Sequence, residues 1–133
     1  MTEPSWLRVD FAIEANKRAV SKTGEHHALL RSDALESAFT KPRHHFQYGG
    51  EEDIATLACV LLFGIARNHP FEQGNKRTAL ACALRFLENN GYTAILPNTE
   101  FLGEQLVAVL TGALSEGDFG SIFASHVTEI EDT

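Results

Sequence analysis

After Arg85 the chain contains no lysine and no arginine. Residues 86–133 carry 8 aspartates and glutamates, while residues 1–85 hold all 11 Lys and Arg against 10 acids, so the net charge of −7 arises entirely in the C-terminal part. An acidic chain without a basic stripe lacks the footprint of a nucleic-acid binder, and direct nucleic-acid binding is not expected. The acidic surface reads as a solvated face, or as one that meets a basic partner peptide. Cysteine is scarce. Cys59 and Cys82 lie inside apolar helical patterns with no Cys-x-x-Cys pair, which favours buried free thiols over a disulfide or a metal site. No apolar run reaches the ~18 residues of a membrane span. Met1-Thr2-Glu3-Pro4 lacks the basic start and apolar stretch of a secretory signal. The expectation is a cytoplasmic protein with no membrane partner. Repeats and low-complexity segments are missing, as are a His-Glu-x-x-His zinc pattern and a Walker phosphate loop. The pairs His26-His27 and His44-His45 are sequence neighbours, which seldom aim both rings at one metal.

What is present reads as helices. A hydrophobic fraction of 44% and a charged fraction of 22% over 133 residues suit one globular domain, 1–133. Trp6, Leu7, Phe11, Ile13 and Val20 suggest a ragged helix over 5–20. Ser32 or Asp33 caps a second helix that Lys41-Pro42 should end. Residues 43–50 then read as an exposed hairpin or extended loop, with Phe46 and Tyr48 on one face. Glu51-Glu52-Asp53 starts a third helix running to about Arg67. Its apolar positions Ile54, Leu57, Ala58, Leu61, Leu62 and Ile65, widened by Val60 and Phe63, predict burial on much of its circumference. A fourth begins at Asn75 or Lys76 and stops at Asn89-Asn90-Gly91. Tyr92–Ile95 is a short extended connection, 98–114 and about 116–127 are further helices, and 128–133 is a frayed tail. The fold class is all-α with one small hairpin.

The chemistry concentrates in His69-Pro70-Phe71-Glu72-Gln73-Gly74-Asn75-Lys76-Arg77. A histidine can accept a proton near neutral pH. A glycine turn opening a helix presents backbone N–H groups and a positive helix end to an anion, with Gly74 allowing close approach. Asn75 can donate to a phosphate oxygen or cap the helix. Arg77 offers a planar fork and Lys76 a movable point charge. Two cations at a helix N-terminus oppose its dipole unless an anion or a carboxylate offsets them. Pro70 stiffens the loop and Phe71 anchors it. A base beside a phosphate cradle suggests transfer of a phosphate-containing group to a nucleophile.

The stretch resembles the Fic/Doc signature His-Pro-Phe-x-Asp/Glu-Gly-Asn-Gly/Lys-Arg, meeting eight of its nine positions. Ala34–Ala38, Phe63–Asn68, Thr78-Ala79-Leu80 and Asn90-Gly91-Tyr92 also look Doc-like, extending the similarity from about residue 10 to 127. The resemblance implies the all-α Fic fold, a helical bundle with a small β-hairpin flap. It implies His69 as the general base, and Gly74, Asn75, Lys76 and Arg77 as the phosphate-holding residues. The flap would be 43–50, aligning a target through Phe46, Gln47 and Tyr48. ATP and Mg²⁺ are the implied cofactors. Typical Fic enzymes carry Gly where Lys76 stands and transfer AMP. Doc-like members carry Lys, whose side chain intrudes where AMP would lie, and are thought to bind ATP reversed and transfer its γ-phosphate. Lys76 thus favours a Doc-like toxin of a toxin–antitoxin pair acting on a translation factor of the elongation factor Tu type, restrained by a separate antitoxin. No Ser/Thr-x-x-x-Glu-Gly/Asn stretch of the kind with which some relatives inhibit themselves is found. The nearest, Ser21 to Glu25, is followed by His26. Gln73 departs from the family's metal-binding Asp/Glu, and a neutral amide is a weak ligand for a hard cation. Gln73 implies a metal held mainly by ATP phosphates, a different chemistry, or lost catalysis. The alternatives to the kinase reading are AMP or other nucleotide transfer by the same site and a degenerate Fic-fold binding module.

Overall fold

The computed structural model describes residues 2–131. Six helices and a two-stranded antiparallel sheet follow in the order α1 (Val9–Thr23), α2 (Ser32–Gln47), α3 (Ile54–Asn68), α4 (Asn75–Asn89), β1 (Tyr92–Ala94), α5 (Phe101–Leu110), α6 (Glu116–Ser125) and β2 (Val127–Glu129). Helix α3 is the axle. Ile54, Leu57, Leu61, Leu62 and Ile65 are buried together with Ala58, Phe63 and Ala66, so its apolar pattern is spent on every side. It packs against α2 and α4, and α1 lies across α4. Asp53 caps α3 by accepting from the Thr56 N–H at 2.9 Å. Gly64 permits the close crossing with α2, because a Cβ there would meet the Ala38 Cβ at 3.0 Å. Burial raises the Cys59 and Cys82 thiols to about 12, with Asp53 and Glu116 adding to the effect on Cys59, so neither is a ready thiolate.

Helix α2 does not end at Lys41-Pro42. Pro42 is buried inside it, and the helix continues to Gln47. The proline removes one backbone bond, yet the extra turn is fastened by tertiary contacts. Phe46 meets Trp6 edge-on at 5.8 Å between centroids, and the Arg43 guanidinium lies 5.8 Å above the same ring. Residues 43–50 are therefore the end of a helix and a Gly49-Gly50 turn, not a hairpin. The small sheet lies elsewhere: Tyr92, Thr93 and Ala94 pair with Glu129, Thr128 and Val127. Thus 127–129, expected as the end of a helix and the start of a frayed tail, is a strand; Asp132 and Thr133 lie outside the described residues. Helix α1 begins at Val9 rather than residue 5, because Trp6 stacks on Phe86 and Leu7 is buried as an N-terminal arm.

Candidate active site: the loop from α3 to α4

The end of α3 is set by His69, which adopts φ 48° and ψ 59° and is the one non-glycine residue with positive φ among those described. That conformation turns the chain sharply out of the helix and leaves the imidazole exposed. Histidine is one of the few side chains often found in this left-handed region, and here it ends the helix where glycine is the usual residue. Pro70 and Phe71 then run beside residues 25–31. Leu30 and Arg31 both donate their N–H groups to the Pro70 carbonyl, at 2.9 and 3.0 Å, and the Glu72 N–H donates to the Ala28 carbonyl at 2.9 Å. Leu29 and Phe71 form an antiparallel bridge. The Arg31 guanidinium donates to the Asn68 carbonyl at 3.0 Å.

Asn75 holds the loop from within. Its Oδ1 accepts from the Phe71 N–H at 3.0 Å, its Nδ2 donates to the Phe71 carbonyl at 2.8 Å, and Nδ2 stands 3.5 Å from the His69 Nδ1. The side chain staples the loop, with both ends of its amide on the Phe71 backbone. Asn75→Ala would strand the Phe71 N–H in the interior, and we expect a loss of roughly 1–3 kcal/mol in urea unfolding.

Gly74 precedes α4 at φ 74° and ψ 19°, and no side chain caps the helix. The first intrahelical bond runs from the Thr78 N–H to the Gly74 carbonyl. The N–H groups of Asn75, Lys76 and Arg77 have no acceptor among the described residues, which is the arrangement of an anion site. Lys76 is exposed beside them and makes no ion pair among the described residues. Arg77 turns the other way. Its guanidinium donates to the Ala19 carbonyl at 2.8 Å and to the Glu25 carboxylate at 2.5 Å. The Thr23 hydroxyl also donates to Glu25, and with Arg77 it lowers the Glu25 pKa. A lowered carboxyl keeps this pair ionised at neutral pH and contributes stability that is lost as pH falls through it. The carboxylate that two cations at this helix end call for is thus Glu25, for Arg77 alone.

A groove of about 500 Å³ opens between α4 and α5, lined from α4 by Lys76, Arg77 and Leu80 and from the α5 side by Glu100, Gly103, Glu104 and Val107. It sets an apolar wall beside Lys76, on the helix whose first turn carries the free amides, and an apolar wall suits a nucleotide base. Mg²⁺ fits less well. Gln73 is exposed at the family's metal position with a neutral side chain, its backbone carbonyl is occupied by the Asn16 amide at 2.7 Å, and the one acid next to it is Glu72. A protein-held Mg²⁺ site is not supported by these residues.

His69, Gln73, Gly74, Asn75 and Lys76 thus come together on one loop and helix start. Phe46, Gln47 and Tyr48 do not. Arg31, at the head of α2, touches the end of α3, and about 14 helical residues of 1.5 Å rise place Phe46 roughly 20 Å away. Phe46 is committed to Trp6, while Tyr48 is 83% exposed at the C-terminal end of α2. Residues 25–31 occupy the flank of the loop instead, and Leu30 on them is 64% exposed. Asn16 also went unnoticed in the sequence. It falls on the buried stripe Ala12, Asn16, Val20, and a polar residue at helical spacing among apolar ones was the available signal.

The Fic/DOC family model matches residues 6–87, from the N-terminal arm across the entire loop and into the last turn of α4. A search of curated proteins finds no match. Fic/DOC proteins generally transfer nucleotide or phosphate groups onto proteins. With more than half of its length matched and the signature loop within the match, the chain belongs to the Fic/DOC family.

Proposed function

We propose that the chain transfers the γ-phosphate of ATP to a hydroxyl group of a protein, in the manner of a Doc-like toxin held in check by a separate antitoxin. The carrying observation is Lys76: it is exposed at the open start of α4, beside the groove and the three free amides. The amides of Asn75, Lys76 and Arg77 would hold phosphate oxygens, and the Lys76 ammonium would offset their charge. His69 would take the proton of the target hydroxyl as its oxygen bonds to phosphorus and the bond to the ADP leaving group breaks. Arg77 would reach the phosphates only by exchanging the Glu25 carboxylate for them.

The protein target, a translation factor of the elongation factor Tu type in this proposal, would be aligned along residues 25–31. Their backbone already pairs with the loop on one side, and Leu30 offers an exposed apolar side chain. Incubation of a cell extract with ATP, followed by peptide mass spectrometry, tests the reading. A phosphorylated Ser, Thr or Tyr peptide is expected; an AMP-modified peptide would point to nucleotide transfer, and no modification to a binding module. Lys76→Gly should shift the product from phosphate toward AMP. A variant that still yields phosphate alone would show that the Lys76 side chain does not select the reaction.

A further inference from the structure

Asn16 is 0% exposed, on a helix face otherwise made of Ala12, Ala15 and Val20. A buried amide there costs free energy unless each polar atom is matched, and each is. The Gln73 carbonyl can only accept, so the Asn16 amide nitrogen must face it, at 2.7 Å. The second N–H of that nitrogen reaches the Thr78 Oγ1 at 3.1 Å, on the first turn of α4. The Asn16 Oδ1 is then left facing the His27 Nδ1 at 2.7 Å. An amide oxygen cannot donate, so the imidazole must carry its proton on Nδ1. His27 also packs beside Phe71, with 5.9 Å between ring centroids. One side chain of α1 therefore ties together the loop, the start of α4 and the segment of residues 25–31.

We infer that Asn16 is a positioning residue: it fixes His27 as the Nδ1–H tautomer and fastens residues 25–31 to the loop between α3 and α4. Two backbone contacts depend on that fastening, the Glu72 N–H to Ala28 and the Leu30 N–H to Pro70. Gly74 packs against the same amide, since a Cβ there would meet the Asn16 Nδ2 at 3.2 Å. In terms of the transfer reading, on which this consequence alone rests, the strip that would align a target and the turn that would hold phosphate keep a fixed relation through Asn16.

The test needs no turnover, so its failure is distinguishable from failure of the proposed reaction. Imidazole ¹⁵N shifts and long-range couplings of the intact chain at neutral pH should show His27 protonated at Nδ1. A His27 proton found on Nε2 alone overturns the inference, whatever the variants do. His27→Asn places an amide N–H donor where Nδ1 stands, whereas His27→Phe keeps a ring against Phe71 and removes the donor. Hydrogen exchange at the Glu72 and Leu30 amides should quicken about tenfold or more in His27→Phe and stay within about threefold of the parent in His27→Asn. Equal exchange in the two variants would mean that packing, not the bond to Asn16, holds the segment.

Discussion

Replacing His69 by alanine is expected to reduce transfer by a factor of about 10²–10⁴, the usual worth of a positioned proton acceptor. The fold should survive, because the imidazole is exposed and the loop is held by other groups. Pro70 and Glu72 are bonded to residues 28–31, and Phe71 to Asn75. The backbone imposes one complication. His69 sits at φ 48°, where alanine is strained by about 1–2 kcal/mol relative to residues that tolerate this region. His69→Asn is the better-matched control, since asparagine adopts that conformation readily and is no base at neutral pH. Both variants should lose activity together, and the asparagine variant should melt close to the parent. Full activity in either would remove His69 from the mechanism.

The second large effect concerns Gln73. Its backbone is anchored through the Asn16 amide and its side chain is exposed, so an acid can be introduced without disturbing the loop. A carboxylate supplies the charged oxygen that a hard divalent cation prefers, and the amide supplies only a neutral one. Gln73→Glu should tighten Mg²⁺ binding to the ATP-bound chain by about tenfold or more, since even groups that merely support a ligand are worth 10–100-fold in metal affinity. Titration of Mg²⁺ by calorimetry in the presence of ATP reads this directly, and activity should rise at limiting Mg²⁺. Unchanged affinity and unchanged or lower activity at every Mg²⁺ concentration would show that the glutamine already suits the donor this site uses.

Much of the site was legible because its residues are contiguous. His69 through Arg77 announce a turn, a glycine and a helix start, and the structure delivers each at the expected place. Helices α3 and α4 were equally clear, since their apolar positions repeat over four turns without interruption. The failures have one physical source: tertiary contacts that local preference cannot register. Pro42 looked like a stop, but Trp6, more than thirty residues earlier in the chain, holds the turn beyond it. That error made Phe46, Gln47 and Tyr48 part of a hairpin flap beside the loop, whereas they stand at the other end of α2 from it. The segment beside the loop, residues 25–31, is short and has no regular period, and only its pairing with Pro70 and Glu72 reveals it. The Arg77 bonds to Ala19 and Glu25 were likewise illegible, because they bridge more than fifty residues. For Asn75 nothing in the sequence signalled a further partner, the Phe71 backbone, which engages both ends of its amide.

The most direct test of the central claim is the fate of the two ends of ATP. The chain is incubated with a cell extract and ATP labelled either at the γ-phosphate or at the α-phosphate, with His69→Asn run alongside. Transfer of the γ-phosphate predicts a protein band labelled from γ-labelled ATP alone, stable to removal of free nucleotide and lost in the His69 variant. Label entering protein from the α-phosphate, or γ-label that persists undiminished without His69, would contradict it.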